Sequence, residues 1–201
     1  MVTLPLVLSA NSKAWIVDAG TGERKAVPPT GTCQFCRRPS GAWQQQGDNN
    51  SADLVVSCPL CYLPRYLDRP SIDDEAVLIW LPGMAQGVVN VMTRQIHLAC
   101  VRVGLPPDYS AVARIAQATS SAYRAYRTLY ERSVAVELRL GTRSPRQLGA
   151  ALHDLAPPDY ERRATLLGGV RLLPLGRFLQ AGRDIYPKML GDWAKSEVEA
   201  S

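Results

Sequence analysis

The chain has 201 residues, 46% of them hydrophobic, enough for one medium domain with a filled core, so wholesale disorder is excluded. Its net charge of +5 comes from 23 Lys and Arg against 18 Asp and Glu, an excess too small to demand nucleic acid. The strongest apolar run, residues 76–81, is far too short for a membrane span, and residues 4–8 have no basic region before them, so the sequence reads as soluble and uncleaved.

Residues 4–8 and 14–17 are apolar stretches flanking a polar turn and predict an N-terminal hairpin, with the polar stretch 20–32 as a linker to a first Cys-x-x-Cys. The pairs Cys33/Cys36 and Cys58/Cys61 hold four of the five cysteines, and an odd total disfavours a disulfide framework. Each pair offers two thiolates from one tight turn, and two pairs complete a tetrahedral shell, which predicts one structural zinc on Cys33, Cys36, Cys58 and Cys61. A redox dithiol is the rival reading for either pair alone; two pairs close in sequence favour the metal. Between them, residues 41–53 are rich in Gln, Gly, Asp, Asn and Ser and predict a loop, followed by a short strand at 54–56 that delivers Cys58. The acidic trio Asp73, Asp74 and Glu75 reads as a solvated turn before a strand at 77–81.

From 84 to 103, Met84, Val88, Met92, Ile96 and Cys100 repeat at i, i+4 and apolar residues fill most of the remaining surface, predicting a helix buried nearly all round, with Cys100 an inert core thiol. After Pro106-Pro107, Asp108 or Ser110 can cap a second helix through Leu129. Ser144-Pro145 opens a third helix to about residue 155, and a short fourth follows Pro157-Pro158. Residues 170–174 read as an extended apolar link, and 185–199 as a closing helix interrupted early by Pro187. The helix at 84–103 and the segment 170–193 together carry more apolar surface than the chain would readily bury, leaving room for a partner helix, with Arg171, Arg177 and Arg183 at its rim.

Catalytic signatures are scarce. His97 and His153 both fall inside predicted helices, far in sequence from the cysteines, and neither a phosphate loop nor a His-Glu-x-x-His is present. The segment Cys33-Gln34-Phe35-Cys36, Gly47-Asp48-Asn49-Asn50, Asp53-Leu54-Val55-Val56 and Cys58-Pro59-Leu60-Cys61 resembles the zinc-bound scaffold of HNH endonucleases, in which a hairpin and a helix clasp the metal. That family uses histidines as general base and beside the last cysteine. Here no histidine lies between Cys33 and Cys61 and Tyr62 follows the last knuckle, so cleavage chemistry is not expected.

Over nearly its whole length the chain is similar to the DotN/IcmJ family of the type IVB (Dot/Icm) secretion and conjugation apparatus, most faintly over 104–165. Leu6-Val7-Leu8-Ser9-Ala10, Thr32-Cys33-Gln34-Phe35-Cys36, the Cys58/Cys61 pair, Leu78-Ile79-Trp80-Leu81-Pro82 and Val170-Arg171-Leu172-Leu173-Pro174 carry the similarity. It implies an α+β protein: an HNH-like treble-clef zinc knuckle with an N-terminal hairpin (1–82) packed on a mostly helical part (83–201) as a single domain. It further implies a non-enzymatic adaptor that binds the C-terminal tail of the coupling ATPase (DotL-like) and other coupling-complex subunits. Such a protein would be cytoplasmic and peripheral to the inner membrane, without inserting into it. A nucleic-acid-binding HNH-like zinc protein without nuclease activity is the alternative.

Overall fold

Two apolar runs far apart in the chain pair with each other: β3 (Ala76–Trp80) lies antiparallel to β4 (Val170–Pro174), with Leu78 opposite Leu172. The computed structural model describes residues 5–10, 32–38, 43–46, 54–113 and 120–199. Both strands are buried along nearly all their length because the sheet has a core on each face. Ala76, Leu78, Val170 and Leu172 point into a cluster shared with Leu8, Phe35, Leu60 and Trp193. Val77, Ile79 and Leu173 face a second cluster with Val89, Cys100 and Tyr126. Residues 170–174, expected as a link, are thus a core strand.

The cysteine-bearing half is built on a second strand pair. β2 (Leu54–Ser57) pairs antiparallel with β1 (Trp43–Gln46), Trp43 opposite Ser57, so part of the expected loop is a strand. β2 leads into α1 (Pro59–Tyr62) and a 3-10 turn at Leu63–Arg65. Against that turn lie residues 5–10, with Ser9 N donating to Pro64 O at 2.9 Å and Leu67 N to Ser9 O at 3.0 Å. They form no strand, and residues 14–17, the other arm of the expected hairpin, lie outside the described residues.

The acidic trio forms α2 (Ile72–Glu75), and its members separate. Asp73 and Asp74 are exposed, whereas Glu75 is fully buried and holds Arg69 through a bidentate pair of 2.8 and 2.7 Å. A buried guanidinium and carboxylate are tolerable only because each is further satisfied. Arg69 also donates to Leu179 O, Leu179 N donates to Glu75, and the Phe178 ring lies 4.6 Å beneath the guanidinium. This closes β5 (Leu179–Gln180) and β6 (Arg183–Asp184) onto the knuckle side.

The 17-residue α3 (Gln86–Arg102) packs against β4, and its burial is not that of a simple apolar stripe. Gln86, Asn90, Thr93, Arg94 and His97 are buried alongside Val89, Ile96 and Cys100, while Val88 and Val101 are 54% and 43% exposed. α4 (Tyr109–Ala113) starts as expected, Asp108 Oδ1 accepting from Ser110 N and Ala111 N. Ser120 then caps a separate α5 (Ser121–Glu131) through Tyr123 N, so the long second helix is not one element across 108–129. α6 (Ser133–Leu140), absent from the sequence expectation, packs along β3 and ends at Gly141, which has φ 73°. α7 (Pro145–His153) is capped by Ser144 as predicted and is followed by the short α8 (Pro157–Glu161) and α9 (Arg163–Leu166). Pro187 falls in the first turn of α10 (Tyr186–Glu199), where a missing N–H costs nothing, and so does not interrupt it.

The segment 170–193 is not an apolar excess: Val170, Leu172, Leu173, Phe178, Tyr186, Leu190 and Trp193 are all buried. Two of its three rim arginines are engaged internally too, whereas Arg183 is exposed on β6. Arg171 donates to Met84 O and Val170 O, and Arg177 lies 3.6 Å from Asp108 and 3.9 Å from Asp184. Among the described residues, no helix is long and apolar enough to cross a membrane.

Candidate metal centre

The first cysteine pair sits in a turn whose ends are tied to each other and to β2. Cys33 N donates to Arg38 O and Arg37 N to Cys33 O, both at 3.0 Å, with Arg37 in the left-handed region at φ 61°. Gln34 grips Val56 twice at 3.0 Å: its N–H donates to the Val56 carbonyl, and its side-chain oxygen accepts from Val56 N. The second pair comes off the end of β2. Cys58 precedes a helix whose first residue is Pro59, with Tyr62 N closing onto Cys58 O at 2.9 Å, and this turn brings Cys61 back alongside Cys58.

All four expected ligands meet. The sulfurs of Cys33, Cys36, Cys58 and Cys61 lie within 4.8 Å of one another, with Cys36 and Cys58 at 3.7 Å. A tetrahedral ion with sulfur at about 2.3 Å sets its ligand sulfurs about 3.8 Å apart. No disulfide forms among them, and Cys100 stays apart, buried on α3. Hydrogen bonds from Cys36, Cys58 and Cys61 hold the Cys33 thiol well below the ordinary thiol range. Contact with Cys33 pushes Cys58 and Cys61 well above it. Protons can be shared in this way, and a cation seated among the sulfurs would let all four be thiolates. The donor set fits a soft divalent ion with every position taken by sulfur. Among the described residues it is the only group of three or more His, Cys, Asp or Glu able to hold a metal.

The surroundings answer the excess negative charge of such a site. Asn90 Nδ2 donates to Cys61 Sγ at 3.3 Å, and Arg38 and Arg94 line the shallow pocket formed at Cys36 and Cys58, where the Arg94 guanidinium lies 4.5 Å over Trp193. Sequence reasoning found the four clustered cysteines and missed these supports. The available signal was Gln86 and Asn90, amides at i, i+4 that continue with Thr93, Arg94 and His97 as a polar face between the apolar positions of the helix. Both histidines lie apart from the thiols. His97 is in the core, 2.6 Å from the Tyr186 hydroxyl, and the half-exposed His153 faces Asp68 at 3.3 Å.

No protein-family model matches the chain. No curated protein matches it either.

Proposed function

We propose that the chain is a non-enzymatic zinc adaptor of a type IVB secretion coupling complex, carrying one structural Zn2+ on Cys33, Cys36, Cys58 and Cys61. The observation behind it is the closed set of four clustered cysteines, which leaves no metal position for water or substrate. The order of turn, β1–β2 hairpin and α1 around these cysteines suits an HNH-like treble clef. The stretches carrying the similarity to the DotN/IcmJ family are residues 6–10, which lie on the turn after the second cysteine pair, the two cysteine turns, and the two strands of the β3–β4 pair. In that role the protein binds the C-terminal tail of the coupling ATPase and joins other coupling-complex subunits in the cytoplasm, peripheral to the inner membrane. The apolar positions available for contact include Val88 and Val101 on α3 and Val134 and Leu138 on α6, the last 82% exposed.

Calorimetric titration of the zinc-loaded protein with a peptide of the cognate ATPase tail, at moderate salt, is expected to give saturable heat at micromolar concentration. No heat with zinc confirmed in place contradicts the adaptor role, and salt-sensitive DNA or RNA binding without cleavage would then support the nucleic-acid alternative.

A further inference from the structure

The buried face of α3 carries a chain of amides that ends on a metal ligand. Gln86 and the Leu172 peptide of β4 bind each other in both directions at 2.8 Å, Leu172 N donating to Gln86 Oε1 and Gln86 Nε2 donating to Leu172 O. The same Nε2 donates to Asn90 Oδ1 at 2.9 Å. Asn90 Nδ2 then donates to Leu60 O at 3.0 Å and to Cys61 Sγ at 3.3 Å. Gln86 and Asn90 are 3% and 1% exposed, so water cannot replace any of these partners cheaply.

The direction of the chain is fixed at both ends. Leu172 N–H can only donate and the carbonyls of Leu172 and Leu60 can only accept, so neither amide can flip without setting acceptor against acceptor. Asn90 therefore meets Cys61 as a donor, which is the partner a metal-bound thiolate wants and which steadies its position. Close approach of the helix to the first knuckle makes this possible: a Cβ on Gly87 would stand only 3.1 Å from the Phe35 carbonyl oxygen.

We propose that Asn90, held in place by Gln86, is a positioning residue of the metal centre and makes metal affinity depend on the docking of α3 against β4. The inference rests on the metal reading of the four cysteines. Its core is long-range: Gln86 lies two hydrogen bonds from Cys61, yet its loss must weaken metal binding.

The test is zinc affinity of the full chain by competition with a chromophoric chelator, for wild type, Asn90→Leu, Asn90→Asp, Gln86→Leu and the control Thr93→Val. Thr93 is equally buried on the same helix but has no hydrogen bond to the relay. The Asn90 substitutions are expected to weaken zinc binding about tenfold or more and Gln86→Leu by several-fold, with Thr93→Val within twofold of wild type. The Asn90→Leu/Gln86→Leu double variant is expected to lose less than the product of the single losses, because either change alone breaks the relay. Thiolate-to-cobalt charge-transfer spectra of the same proteins loaded with Co2+ provide a second readout, expected to shift on Asn90 substitution and not on Thr93→Val. Unchanged affinity in folded Asn90 and Gln86 variants, or an equal loss in Thr93→Val, overturns the relay. If an Asn90 variant fails to fold, Gln86→Leu and its cobalt spectrum decide. Failure of the wild type itself to bind zinc or cobalt would instead overturn the metal reading.

Discussion

One nitrogen of His97 is paired and the other is not. Nδ1 lies 2.6 Å from the Tyr186 hydroxyl, while Nε2 is buried without a hydrogen-bond partner among the described residues. Tyr126 and Tyr186 pack edge-on against the ring, and burial pushes its pKa down to about 3. In the unfolded chain the imidazole takes up a proton below about 6.5, whereas the folded protein refuses it until about 3. His97 therefore contributes no pH dependence above 6.5, and stability falls as pH drops through the interval between the two values, at up to roughly 1.4 kcal/mol per pH unit. His97→Gln is expected to flatten this slope between pH 6.5 and 5 in urea-denaturation series run in parallel with wild type. Superimposable slopes would show that the ring is not the proton-refusing group. Glu75 teaches a related lesson. It stands in a run of three acids that reads as solvated, and only its distant neighbours, Leu179 and Phe178 around Arg69, explain why one of the three is in the core.

At the scale of elements, the turn after β4 is the tightest joint. Gly176 has φ +77°, and a Cβ there would lie 1.9 Å from the Pro107 carbonyl oxygen, on the loop whose Tyr109 N donates to Leu175 O at 3.0 Å. Gly176→Ala must both strain the backbone and push the 106–108 loop away, so it is expected to destabilise by about 3 kcal/mol or more in equilibrium denaturation. A loss under about 0.5 kcal/mol would contradict this packing. Elements with local signals were legible: the Ser144-Pro145 start of α7, the Asp108 cap of α4 and the apolar run of β3 all formed where their residues suggest. Those defined by distant partners were not. β4 becomes a strand because β3 lies beside it, and β1 is assigned by pairing with β2 although its sequence Trp-Gln-Gln-Gln looks like a loop. α6 was missed because apolar Val134 and Leu138 face outward, which blurs its periodicity.

For the molecule as a whole, three of the four clustered cysteines belong to the main core and the half-buried Cys36 packs against it. Cys33 and Cys61 have no exposed surface and pack in one cluster with Leu8, Phe35, Leu60, Leu78 and Leu172. The cysteine cluster was readable because Cys-x-x-Cys spacing is local chemistry, two turns each presenting a pair. The way the site is joined to the body, through Gln34 to β2 and through Asn90 and Gln86 to β4, was not, since it depends on which strands meet. A metal at this position would tie the two cysteine turns together, next to the amides that join them to β4. A structural zinc contributes on the order of 10 kcal/mol in small zinc-binding peptides, and even part of that is comparable with the whole stability of a domain this size. The most direct test is elemental analysis of full-length protein purified without chelator, with a thermal melt before and after metal removal. We expect one zinc per chain, lost on joint substitution of Cys58 and Cys61 by Ser, and a markedly lower melting temperature once the metal is stripped. Less than half an equivalent of zinc, or a melt indifferent to its removal, would contradict a structural zinc centre.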